Sequence, residues 1–195
     1  MPRSGLREFN AVELRAFLTA IDAHLSKHAR MIIIGGSAVA VAYGVDTGTI
    51  DVDTWETDLR PIARAITAAR HDTGLDIPVS DASVGDVPWK YEERIVRILP
   101  ELSRLAVFAL EKHDLTLSKT VRGYENDLVA IEGLHQRHGL DLDTLVARWA
   151  DEMDHAIGDR KRLDLNFQLM IERIFGEMEA ERVRRGLRGR RTTHD

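Results

Sequence analysis

Asp51 and Asp53 stand two apart in TIDVDTW, and 14 residues separate Gly36 from Asp51. Just upstream, the apolar run Met31 to Ile34 ends in Gly35-Gly36-Ser37. Side chains two apart on an extended chain point to one face. Two carboxylates held that way repel unless a positive charge lies between them. Magnesium suits such a pair, because it takes one or two carboxylates and completes its shell with substrate phosphates and water. A Gly-Gly-Ser turn that opens a helix offers backbone N–H groups and a hydroxyl to an anion. Either feature alone is commonplace: Asp-x-Asp occurs widely, and Gly-Gly usually marks a close-packing turn. Their order, strand, GGS, helix, then a strand with DxD, describes a site for a nucleoside triphosphate with its metal. Two metals in such a site would serve an in-line displacement at phosphorus. Neither G-x-x-x-x-G-K-[ST] nor G-x-G-x-x-G occurs in the chain, so the other common phosphate loops do not account for it.

The elements that must hold these residues can be read from periodicity. Leu14, Phe17, Leu18, Ile21 and Leu25 recur at three and four, which predicts an amphipathic helix within 11–29. Met31 to Ile34 reads as a buried strand, and Ser37 to Tyr43 as a helix closed by Gly44. Thr49 to Trp55 alternates as a strand, with Asp51, Asp53 and Trp55 on one face. A helix follows over 58–71 with Pro61 near its first turn. Leu75 to Val79 reads as a strand carrying Asp76, and Ile95 to Leu99 and Leu105 to Leu110 as two more around Pro100. From Lys112 the pattern is helical to about Ala180, with Asp114 as the expected N-cap for Leu115 onward. The predicted class is α+β, a mixed sheet with flanking helices followed by a C-terminal helical region. Its expected division is an α/β core over 1–111, a helical region over 112–181 that completes the cleft, and a basic, flexible tail over 182–195.

On these residues the chain resembles the nucleotidyltransferase superfamily with the DNA polymerase β-like fold, marked by a Gly-Gly or Gly-Ser turn followed by Asp-x-Asp/Glu. Within it, HDLTLSKTVRGYENDLVAI, His113 to Ile131, resembles the downstream motif of the AbiEii-like nucleotidyltransferases of bacterial toxin–antitoxin systems. The resemblance implies that Gly35, Gly36 and Ser37 hold the triphosphate and that Asp51 and Asp53 bind Mg²⁺. It implies that Lys119 neutralises phosphate charge and that Asp127 lies near the acceptor or orients Lys119. A third carboxylate on a later strand would be Asp76, with Asp81 its competitor. DVPWKYEERI, Asp86 to Ile95, is similar to a stretch that recurs in such proteins and is given no chemistry. Two positions depart from the pattern: Asn126 where a basic residue commonly precedes the acid, and Ala130 where a second acid often follows. The implied activity is transfer of a nucleotidyl group from an NTP to a hydroxyl of RNA, such as tRNA, or of a protein, with a cognate antitoxin as partner. The alternative is a catalytically silent module of the same fold that binds nucleotide or a protein partner.

Composition narrows the other classes. The 195 residues are 44% apolar and 30% charged, enough for a real core and too apolar for a disordered chain. With no cysteine there is no disulfide, thiolate zinc site or cysteine nucleophile, which fits a reducing cytoplasm. The start MPRSGLREFN lacks a signal-peptide core, and no run approaches the roughly 18 apolar residues of a membrane span. A net charge of −5 and the want of a recognition helix argue against a DNA-binding protein. Six arginines between Arg182 and Arg191 could touch RNA phosphates, but a solvated terminus is the simpler reading. His135 and His138 share a helix face without a third ligand, so a surface role is expected. Trp55, Trp89 and Trp149 are expected to pack rather than stack on bases.

Overall fold

The structure, a computed structural model, describes residues 7–45, 47–82 and 86–191, with side chains to 187. It falls into two compact units, Met1–Gly85 with Arg94–Leu110, and Asp86–Glu93 with Glu111–Asp195.

The first unit is built on a five-stranded mixed sheet of order β3-β2-β1-β5-β4. Its strands are β1 (Ala29–Ile33), β2 (Val52–Thr54), β3 (Val79–Asp81), β4 (Val96–Ile98) and β5 (Leu105–Ala109). β1 runs parallel to β5 and antiparallel to β2, while β2 and β3 are parallel. Helix α1 (Ala11–His24) starts at a capping box: the Asn10 side chain accepts from the Val12 and Glu13 N–H groups, and Glu13 returns a bond to the Asn10 N–H. Leu14, Phe17, Leu18 and Ile21 are its buried face, as their spacing predicts. Helix α2 (Gly35–Tyr43) follows β1 directly and ends on Gly44 at φ 64°, and α3 (Ala63–Thr73) follows a short 3-10 turn, Arg60–Ile62.

Three elements differ from the pattern reading. The strand expected over Leu75 to Val79 begins only at Val79. Pro78 has no N–H for a ladder, its carbonyl already accepts from Val52 N–H, and Arg70 Nε holds the Ile77 carbonyl. The strand expected over Thr49 to Trp55 shortens to β2, with Thr49 forming a separate bridge to Phe9. The helix expected from Asp58 begins as the 3-10 turn Arg60–Ile62, whose Arg60 N–H donates to the Asp58 carboxylate, and becomes α-helical only at Ala63.

The second unit is helical: α4 (Lys112–Arg122), α5 (Glu125–His138), α6 (Leu142–Glu152), α7 (Arg160–Phe175) and α8 (Glu177–Arg191). Trp149 stacks on Phe167, with ring centroids 4.5 Å apart, in a core shared with Leu117, Leu145, Leu163 and Met170. The DVPWKYEERI stretch belongs largely to this unit, where Trp89 donates to Asp154 and Asp86 accepts from the Ile157 N–H. The N-cap of α4 is Glu111 rather than Asp114, since Glu111 accepts from the His113 N–H. The arginine-rich end, expected to be flexible, continues as helix α8 through Arg191. Glu179 and Glu181 stand three residues before Arg182 and Arg184 and pair with them, and Val183 is buried in the core. Arg188, Arg190 and Arg191 have side chains outside the described residues. Among the described residues no helix is long and apolar enough to cross a membrane.

Asp22 fastens α1 to the start of β5. Its carboxylate accepts from the N–H groups of Ser103, Arg104 and Leu105 at 3.2, 2.6 and 2.6 Å. Burial disfavours the charged form, but those N–H groups and the Ser103 hydroxyl outweigh it and lower the Asp22 pKa. A depressed folded value makes this stabilisation complete above the unfolded aspartate value of about 3.9 and removes it as pH falls through the folded one. Asp22→Ala should therefore cost about 2–3 kcal/mol at pH 7, read by urea unfolding. The cost should shrink at pH values below the folded Asp22 pKa; an equal cost at every pH would exclude the carboxylate as its origin.

Candidate functional site

β1 ends where Ile34, in extended conformation, caps α2 without a side-chain hydrogen bond. Ile34 therefore offers the first-turn N–H groups of α2 no side-chain acceptor of its own, and such N–H groups attract an anion. Gly35 has φ +66°, in the left-handed region, and a Cβ there would lie 3.4 Å from Asp53 Oδ2. The backbone conformation is what calls for glycine, since a Cβ would make only ordinary contact with that carboxylate. Gly36 is required for a different reason: a Cβ would sit 2.8 Å from Thr49 Oγ1, on a stiff β-branched side chain. Ser37 is 1% exposed and its hydroxyl donates to the Ile34 carbonyl at 3.0 Å. The three residues are together, but the Ser37 proton is already spent within the turn.

Asp51 and Asp53 are both half-buried and flank Val52, which is buried. Thr49 Oγ1 lies 3.2 Å from the Asp51 carbonyl and 3.4 Å from its Oδ1. Asp53 is placed between two neighbours: its Oδ2 toward Gly35, its Oδ1 accepting from Ser80 Oγ at 3.1 Å. Ser80 is the parallel partner of Asp53 on β3. Neither expected third carboxylate stands there. Asp76 precedes β3, its side chain is 98% exposed, and it is 3.6 Å from Arg70. Asp81 pairs with Thr54 in the β2–β3 register, one position beyond Ser80, and its Oδ1 accepts from Thr54 Oγ1 and the Thr57 N–H.

This donor set fits magnesium. Asp53 lies against the turn at Gly35 and half-buried Asp51 stands two residues before it, and among the described residues no group of three or more His, Cys, Asp or Glu could hold an ion by itself. An ion that completes its shell with phosphate and water needs no more.

The second constellation lies within the helical unit. Lys119 on α4 and Asp127 on α5 are 4% and 3% exposed, and Nζ is 3.0 Å from Oδ1. Arg122 Nη2 donates to the same Oδ1 at 2.6 Å while half of its side chain remains in solvent. Asp127 Oδ2 is buried without a hydrogen-bond partner among the described residues. Lys119 is thus enclosed by an ion pair, and Arg122 is the member of the trio that solvent reaches. Next to them, Arg148 bridges Glu111 and Asp114 at 2.6 and 2.8 Å, and His113 Nε2 accepts from the Asp141 N–H while Nδ1 faces Glu111. Burial opposes ionisation of Glu111, but His113 and Arg148 overcome it and lower its pKa to about 2. His135 accepts from the Leu140 N–H and meets the Phe175 ring edge-on, a structural role.

Thr49, Ser80 and Arg122 escaped the pattern reading. Arg122 follows Lys119 by three on one helix face, a signal present in the sequence. Ser80 becomes visible only once the β2–β3 register is known, since nothing in PVSD announces which residue meets Asp53.

Residues 11–174 match a family described as nucleotidyltransferase of unknown function (DUF6036), and the chain belongs to that family. No curated protein and no solved structure matches the chain.

Removing one member of a buried ion pair strands the other charge. Asp127→Ala leaves Lys119 buried with its carboxylate gone and should cost about 3–5 kcal/mol. Lys119→Met leaves Arg122 on Asp127 and should cost clearly less. Chemical unfolding of both variants checks the order; equal losses would mean that Arg122 does not support Asp127.

Proposed function

From that membership we propose that the chain moves a nucleotidyl group from a nucleoside triphosphate to an acceptor hydroxyl and releases pyrophosphate. The observation that carries this is the apposition of Asp53 Oδ2 to Gly35, which sets a carboxylate against a helix N-terminus with no side-chain cap. The triphosphate would lie on the backbone N–H groups of Gly35, Gly36 and Ser37, and Asp51 and Asp53 would hold Mg²⁺. Bound magnesium supplies charge neutralisation on the phosphate oxygens and polarises the attacking hydroxyl. Thr49 and Ser80 position the two carboxylates, so little reorganisation is left for the moment of reaction. Within the helical unit, Asp127 is fixed by Lys119 and Arg122, which supports the orienting role that the resemblance gives it, while Lys119 is enclosed by that ion pair and Arg122 is the cation that solvent reaches. The AbiEii-like motif extends the proposal to RNA, such as tRNA, or a protein as acceptor, in the cytoplasm, with the chain as the toxin of a toxin–antitoxin pair.

Two observations favour the second reading, a silent module that binds nucleotide. No carboxylate is the strand partner of Asp53, and the position of a second acid after Asp127 is Ala130, which is buried. The experiment follows label from α-³²P nucleoside triphosphates with Mg²⁺ into a cell extract. Asp51→Asn and Asp53→Asn should each lower transfer by about 10²-fold or more, with unchanged thermal unfolding. Magnesium-dependent binding without transfer would support the silent module. Wild-type rates in both variants would refute the site.

A further inference from the structure

We infer that the chain nucleotidylates itself on Ser80. The inference rests on the triphosphate reading of the α2 turn and asks which hydroxyl a nucleotide held there would meet first.

Among the described residues, three hydroxyls lie in the turn or contact the aspartates. The Ser37 hydroxyl is buried and donates to the Ile34 carbonyl. Thr49 is 8% exposed, and its Oγ1 is engaged with Asp51 under Gly36. Ser80 is exposed, and its proton is directed at Asp53 Oδ1, 3.1 Å away. A single carboxylate therefore has the turn on one oxygen and an accessible primary hydroxyl on the other. A hydroxyl paired with a carboxylate acceptor is the arrangement of an activated oxygen nucleophile. Its tethering on β3 replaces a bimolecular encounter by an intramolecular one. The residues that would make this position a base instead lie elsewhere: Asp76 is in solvent near Arg70, and Asp81 is held by Thr54 and Thr57.

In the step, a bond forms between Ser80 Oγ and the α-phosphorus. The bond from that phosphorus to the oxygen bridging to the β-phosphorus breaks, and pyrophosphate leaves. Asp53 Oδ1 takes the hydroxyl proton and passes it to water. The product is a phosphodiester on Ser80, and no oxidant or further reactant is needed. A nucleotide fixed beside Asp53 would occupy the place of an incoming acceptor, so the reaction stops after one addition.

Purified full-length protein is incubated with each of four nucleoside triphosphates and Mg²⁺, and its intact mass and peptides are measured. Binding of a non-hydrolysable triphosphate is followed in parallel by calorimetry. The expected result is addition of a single nucleoside monophosphate, mapped to Ser80, at a fractional rate independent of protein concentration. Ser80→Ala should add none, and Ser80→Thr, which keeps the hydroxyl on Asp53, should still be modified and still bind the analogue with Mg²⁺. Analogue binding with Ser80 unmodified, or with the label on another residue, would overturn the inference and leave the triphosphate site standing. Absence of both binding and modification would overturn the two together.

Discussion

The Ile34 N–H donates to the Asp53 carbonyl at 2.9 Å, and the Trp55 N–H donates to the Ile32 carbonyl at 2.9 Å. These two bonds pair the end of β1 with β2, and the candidate site depends on them. They bring a left-handed glycine against a carboxylate, leave the first turn of α2 open to an anion, and set Ser80 beside Asp53 through the next strand. Val52 and Thr54 are fully buried on the other face, so a slip of one residue would put Asp53 into the core and expose both. The hydrophobic pattern thus fixes where the aspartates point, although it takes no part in their chemistry.

The two glycines in sequence act differently. Gly35 supplies a backbone conformation beside Asp53; Gly36 supplies room for Thr49, which is itself held by its bridge to Phe9 just before α1. The turn is therefore braced from the N-terminal segment as well as from the sheet. In the helical unit the same economy appears in another form. Two cations converge on one oxygen of Asp127, and the desolvation cost of so buried a carboxylate is met by Lys119 and by Arg122, whose guanidinium keeps part of its hydration.

Much of this was legible in the sequence where a residue's neighbours are close along the chain. The α1 stripe, the Gly44 stop, the strands around Pro100 and the DxD alternation are local patterns, and the structure carries them within a few residues. What could not be read depends on pairing between distant segments. Pro78 delayed β3, and with it the register that puts Ser80 rather than an aspartate beside Asp53. Glu111 took the capping role from Asp114 because α4 begins at Lys112, which puts Asp114 inside its first turn, where Arg148, 34 residues on, pairs with it. The arginine-rich end reads as a flexible tail when it is cut off at Arg182, since Glu179 and Glu181, which pair with Arg182 and Arg184, lie on or before that boundary.

The central claim is that a triphosphate and its metal are held between the α2 turn and the two aspartates. A crystal structure with Mg²⁺ and a non-hydrolysable nucleoside triphosphate tests it most directly. The account predicts phosphate oxygens on the N–H groups of Gly35 and Gly36, and magnesium within about 2.1 Å of carboxylate oxygens of Asp51 and Asp53. A nucleotide bound elsewhere, or on the turn with no metal at either aspartate, would contradict it.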